Sequence, residues 1–241
     1  VGTQEVTATI TGSNFTTLVL TADLTVTPAT VTGITFDDES FVYDGTAHTL
    51  AIGGTLPTGT SVTYTNNGRT DVGTQEVTAT ITGSNFTTLV LTADLTVTPA
   101  TLDITSDAGQ SKVYGDLDPV FTYQVIGFEG GDDETILTGT LTRITGEDVG
   151  IFAINQGSLS AGSNYTISFT GADFEITPAT LDITADADQS KVYGDADPVF
   201  TYVSSGFKNG DTQAVISGSL DRALGENVGF YAIQQGSINA G

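Results

Sequence analysis

VGTQEVTATITGSNFTTLVLTADLTVTPA spans Val1–Ala29 and returns letter for letter at Val72–Ala100. The second half of this stretch decides the fold. Within Thr88–Val97, the residues Leu89, Leu91, Ala93, Leu95 and Val97 share one parity. Thr88, Thr92, Asp94 and Thr96 share the other, with Val90 the apolar exception. A two-residue period is that of a half-buried strand, whose side chains point alternately to opposite faces. Val77, Ala79 and Ile81 alternate with Thr78 and Thr80 in the same way, and Phe121, Tyr123 and Val125 repeat the pattern later. No stretch sustains a 3.6-residue period between helix caps. Asp44-Gly45, Gly53-Gly54, Asn67-Gly68, Gly130-Gly131 and Asn209-Gly210 supply frequent turn signals. The expected fold class is all-β, with short strands arranged as Ig-like β-sandwich modules.

The repeat sets the organisation. An offset of 71 residues suffices for one small β domain with its own core. Thr-Pro-Ala-Thr recurs at Thr27–Thr30, Thr98–Thr101 and Thr177–Thr180, and a tyrosine follows each alanine by 14 residues, at Tyr43, Tyr114 and Tyr193. A Val-Gly pair recurs at Val72, Val149 and Val228. The second spacing is longer, and most of its extra residues fall in a loop or hairpin around Gly127–Thr138. Four pieces are expected: 1–29, the second half of a module; 30–100, a short module; 101–179, a long module; and 180–241, a long module without its last strands. The chain reads as a window on a longer array. Pro28, Pro99 and Pro178 stiffen the junctions, which contain no Gly/Ser linker. An extended array is expected, each module adding roughly the 33 Å of a ten-residue strand.

Composition narrows the function. Twenty-nine acidic residues against six basic ones give a net charge of −23. Nucleic acid is not an expected partner, since it demands clustered Lys and Arg. Nor is an anionic membrane surface. No apolar run is long enough for a membrane helix. With no cysteine in the chain, disulfides, thiol metal sites and cysteine nucleophiles are ruled out.

Few residues could carry chemistry. Lys112–Tyr123 reads KVYGDLDPVFTY and Lys191–Tyr202 reads KVYGDADPVFTY. Their pairs Asp116/Asp118 and Asp195/Asp197 are the candidate calcium ligands, with Asp107, Asp186 and Asp188 near in sequence; calcium takes six to eight oxygens. The sequence favours a turn instead, in which Asp bonds local N–H groups and Pro starts the next strand. Asp132-Asp133-Glu134 and Asp37-Asp38-Glu39 read as solvated loops. His48, the single histidine, shares parity with Leu50 and Ile52 and reads as a residue at a core rim. It has no Gly-x-Ser-x-Gly elbow to serve, and one histidine builds no zinc site of usual composition. Lys112 or Lys191 with Asn164 would be the pair for an isopeptide cross-link. Asn14, Asn85 and Asn164 each follow Gly-Ser and read as hairpin turns rather than glycosylation acceptors. No residue is nominated as catalytic, as cofactor-binding or as an obligatory metal ligand.

FVYDGTAHTL at Phe41–Leu50 and KVYGDADPVFTY at Lys191–Tyr202 resemble the MBG/YDG (YGX-type) repeat domains, which occur in tandem in giant bacterial cell-surface adhesins. The resemblance covers almost the whole chain. It implies a secreted, extracellular setting, of which the SprB-like gliding adhesins of Bacteroidota are one example, and it implies no enzyme activity. The expected function is a structural stalk that extends a distal binding region and transmits force. The alternative is a multivalent array of weak glycan- or surface-binding repeats. The expected partners are neighbouring modules of the same chain, with head-to-tail self-association through donated strands as a further expectation.

Overall fold

The structure, a computed structural model, describes residues 1–240. Its strands in chain order are β1 (Gly2–Gly12), β2 (Phe15–Val26), β3 (Glu39–Val42), β4 (Thr60–Thr65), β5 (Gly73–Gly83), β6 (Leu89–Thr98), β7 (Ala100–Ser106), β8 (Gln110–Val113) and β9 (Tyr123–Ile126). They continue as β10 (Thr142–Arg143), β11 (Gly150–Asn155), β12 (Tyr165–Thr170), β13 (Asp173–Thr177), β14 (Asp182–Ala185), β15 (Tyr202–Ser205), β16 (Asp221–Arg222) and β17 (Ile233–Gln234). The only helical segments among the described residues are single 3-10 turns at Glu134–Ile136 and Gln213–Val215. The all-β expectation holds. The chain forms two compact units. One comprises Val1–Asp103, Val125–Thr138 and Ser160–Ser168, and the other comprises Ile104–Gln124, Gly139–Leu159 and Phe169 onward.

In the first unit the duplicated stretch folds twice into one antiparallel hairpin. Val6 faces Ala22 and Ile10 faces Leu18 across β1 and β2; Val77 faces Ala93 and Ile81 faces Leu89 across β5 and β6. The local sequence therefore fixes pairing and register in both places. Burial differs. In the four-stranded sheet β3-β6-β5-β4, Val77, Ala79, Ile81, Leu95 and Val97 are fully enclosed, and Leu50, Phe36, Phe41 and Tyr64 complete a cluster around Val77, Ala93 and Leu95. The same side chains stay exposed along β1 and β2. Enclosing one such aliphatic side chain is worth about 1.5–3 kcal/mol.

Pro99 interrupts the run between β6 and β7, as its missing donor requires. β7 buries Ala100, Leu102, Ile104 and Ser106 on one face and lies in the middle of the sheet β12-β7-β9. In the second unit the sheet β10-β11-β13-β8 buries Ile154, Phe174 and Ile176. Sheets that each bury one face are the layers of a β-sandwich. Two shorter pairs, β14–β15 and β16–β17, follow.

One topological feature repeats. An early strand lies parallel to the strand that leads to the Pro junction. β3 pairs with β6, Glu39 opposite Leu95 and Val42 opposite Thr98. β8 pairs with β13, Gln110 opposite Phe174 and Val113 opposite Thr177. The next peptide extends each ladder, since the Tyr43 N–H donates to the Thr98 carbonyl at 2.9 Å and the Tyr114 N–H to the Thr177 carbonyl at 2.8 Å. The alternation in sequence gave no sign of this parallel pairing, because partners some sixty residues apart leave no local period.

Candidate functional sites: charged clusters and tyrosine contacts

Lys112 enters from β8 and Arg143 from β10, and their side chains are only 4% and 5% exposed. Between them lies Asp118, from the Asp-Pro turn. Its Oδ1 is 2.8 Å from Lys112 Nζ. Its two oxygens also take a fork from Arg143, at 2.8 Å from Nε and 2.9 Å from Nη2. Glu147 closes the ring, bonding Lys112 Nζ and accepting from Arg143 Nη2 at 2.7 Å. Arg143 Nη1 donates to the carbonyls of Ile144 and Gly146. The guanidinium lies 5.2 Å and 5.4 Å from the ring centres of Phe152 and Phe174. A planar fork with five donors suits this setting as an ammonium would not.

The arrangement is written a second time. Asp197 lies 2.8 Å from Lys191 and 2.9 Å from Arg222, Glu226 lies 2.8 Å and 2.6 Å from the same two, and Arg222 sits 5.1 Å from the Tyr231 ring centre. Thus four of the six basic residues serve the two clusters.

The candidate calcium ligands are therefore divided. Asp118 and Asp197 turn inward to cations. Asp116 pairs instead with Lys208 at 3.0 Å, and its N–H closes a turn on the Val113 carbonyl. The Asp195 N–H closes the equivalent turn on Val192, and its carbonyl accepts from Lys191. Calcium at either pair would have to displace a lysine and an arginine.

The electrostatics also speak against acid–base work. Hydrogen bonds from Arg143 and then Lys112 hold the Asp118 carboxyl below its ordinary 3.8, and Lys112 and then Arg143 hold Glu147 below 4.5. Lys191 and then Arg222 do the same for Asp197 and Glu226. A glycosidase acid needs the opposite shift. Burial by itself would lower Lys112, but its bonds to Asp118 and Glu147 outweigh that and raise it above 10.5.

These directions fix a pH dependence. Carboxylates that titrate lower in the folded chain stabilise it above their unfolded values, and that stabilisation fades as pH falls through the folded ones. The raised lysine stabilises below its unfolded value and stops doing so as pH rises through the folded one. Unfolding midpoints should be flat between about pH 5 and 9 and drop below about pH 4. Denaturant titrations against pH check this. An acid limb left unchanged in the combined Asp118→Asn, Asp197→Asn variant would show that the clusters do not set it.

His48 stacks on Phe41 at 4.3 Å, and its Nε2 lies 3.1 Å from Asp44 Oδ1, as a rim residue should. Lys112 is bound to its carboxylates, while the Asn164 amide donates to Asp71 at 2.9 Å and accepts from the Val72 N–H at 3.0 Å. Neither is left for an isopeptide.

Two readings need correction. Asp132 is not in a solvated loop. Its Oδ2 accepts the Tyr43 hydroxyl at 3.0 Å and the Tyr165 hydroxyl at 2.8 Å, and the two rings meet edge to face at 5.4 Å. Burial, with Asp132 adding to it, raises Tyr43 and pushes Tyr165 up to about 12. Asp133 caps the 3-10 turn, accepting from the Thr135 N–H at 2.9 Å. Asn164 is in a turn, but its side chain works at a distance, on Val72 and Asp71. In the second unit the Tyr114 hydroxyl donates to Asp211 at 3.0 Å, and Asn209 donates to the Tyr114 oxygen at 3.4 Å. The signal for these contacts was present in the repeated tyrosine spacing and in the repeated Gly-Phe-x-x-Gly-Asp at Gly127–Asp132 and Gly206–Asp211.

A family model described as the MBG domain (YGX type) matches residues 102–175 and 181–241. No curated protein matches the chain. No helix among the described residues is long and apolar enough to cross a membrane.

Proposed function

Because the chain belongs to the MBG (YGX type) domain family, we propose that its repeats form part of the stalk of an extracellular adhesin, holding a distal binding region off the cell and carrying tension. Domains of this family are repeats of the cell-surface adhesin type. The observation that supports the finer reading is the repeated parallel pair. β3 lies near the start of one repeat and β6 at its end, and β8 and β13 stand in the same relation. Pulling on the chain slides such partners along each other. Every rung of the ladder is then loaded together, whereas a hairpin pulled open at one end loses its rungs one at a time. Resistance to forced opening is a kinetic property, governed by the unfolding rate. The charged clusters fit the same reading, since the acids that could have carried chemistry are spent on internal ion pairs at equivalent places in two repeats.

Single-molecule pulling between the two ends, in chelator and then in calcium, tests the proposal. Residues 30–100 and 101–179 should each open in an abrupt event whose force does not depend on calcium. Smooth extension at low force would remove the tension-bearing role. Abrupt opening only in calcium would return Asp116/Asp118 and Asp195/Asp197 to the position of metal ligands.

A further inference from the structure

We infer that Tyr43–Asp132 and Tyr114–Asp211 are two copies of one clasp, which fixes the angle at which each repeat meets the next; the inference rests on the reading of the chain as a stalk. In both copies the tyrosine stands 14 residues after the junction alanine, and the aspartate ends the Gly-Phe-x-x-Gly-Asp of the following repeat. In both the hydroxyl donates to the carboxylate at 3.0 Å.

The backbones meet as well. Gly45 and Gly115 have φ of +75° and +80°, in the region that favours glycine. A methyl group on Gly45 would stand 2.2 Å from the Gly130 Cα, and one on Gly115 would stand 2.4 Å from the Lys208 Cβ. The fit therefore excludes any larger residue at either turn. Asn164 adds a second point of attachment, since it holds Val72 and Asp71 by its side chain and takes the Ala100 N–H on its carbonyl at 3.0 Å. Asn85 takes the Ala29 N–H at 2.9 Å in the same manner. A four-residue Pro junction, a tyrosine clasp and an asparagine hook leave the two bodies little freedom to turn. The tyrosine N–H is also the last rung of the parallel ladder, so the clasp hangs directly on the strand that enters the junction.

The copies differ in one respect. The second carries the exposed pair Lys208–Asp116, whereas the first has Glu129 at the lysine's place. Salt screens exposed pairs, so the second clasp alone should loosen at high ionic strength. Tyr193-Gly194-Asp195 repeats Tyr114-Gly115-Asp116, and Tyr193 is 69% exposed. This face fits a YGX-type repeat presenting a Gly-Phe-Lys-Asn-Gly-Asp loop.

The chain has no cysteine, so paired labels can be placed at will. Spin labels on Asn155→Cys in β11 and Ser205→Cys in β15 report the second junction by electron–electron resonance. The full chain should give one narrow distance distribution. Tyr114→Phe and, separately, Asp211→Asn should broaden it at least twofold while leaving the unfolding midpoint in place, and molar salt should broaden it part of the way. A distribution that is broad from the start, or one that both variants leave narrow, overturns the clasp. Broadening by the variants in a chain that shows no abrupt opening under load would keep the clasp and remove the tension-bearing role.

Discussion

Replacing Arg143 with alanine should destabilise the sheet β10-β11-β13-β8 by about 3–5 kcal/mol, the cost of breaking a buried ion pair by removing one partner. Four kinds of contact disappear together. Asp118 loses its fork, Glu147 loses a donor, the Ile144 and Gly146 carbonyls lose theirs, and the Phe152 and Phe174 rings lose the cation between them. Lysine at this position keeps the charge but not the fork, so Arg143→Lys should recover only part of the loss. The control is Lys208→Ala. Its pair with Asp116 is half exposed, and exposed pairs contribute roughly 0–1 kcal/mol. Equilibrium denaturation of the three variants decides the matter. A loss below about 1 kcal/mol for Arg143→Ala would mean that the cluster is not the internal brace described above.

The duplicated stretch permits a matched comparison. Ile81→Ala should cost about 2–5 kcal/mol and Ile10→Ala no more than about 0.5 kcal/mol. The two residues have identical neighbours in sequence and equivalent partners, Leu89 and Leu18, across their hairpins. Only their surroundings differ, for Ile81 is fully buried and Ile10 is 56% exposed. Differential scanning calorimetry of the single variants reads both effects in one protein. Equal losses would show that β1 and β2 are covered in solution, as strand donation to a second copy would require.

These cases show what the sequence carries and what it does not. Alternation along β6 located a strand and its inward face, and Ala93, Leu95 and Val97 are buried as their parity implied, while Val90, the exception, is 55% exposed. Period and turn residues act within a few positions, so they reach the chain through local sequence. Phe121 shows the limit, for it shares the parity of Tyr123 yet lies before the start of β9. The charged clusters form over larger separations. Lys112, Asp118, Arg143 and Glu147 lie on two strands and two turns, and no local period joins them. A different signal did exist. The same four residue types recur at the same spacings in Lys191, Asp197, Arg222 and Glu226, in a chain with only six basic residues. Asp132 was misread because a run of three acids looks hydrated, and only the fold brings two tyrosine hydroxyls to it.

Each long repeat carries a clasp tyrosine and, in its Gly-Phe-x-x-Gly-Asp loop, the acceptor for the tyrosine before it. The joint is thus directional and the same at every step, a head-to-tail contact that does not close on itself. A gene built this way can gain or lose a whole repeat by unequal recombination between its near-identical segments, and the new neighbours will already fit. Reach then becomes a heritable quantity that a lineage adjusts in whole steps, without the invention of a new interface.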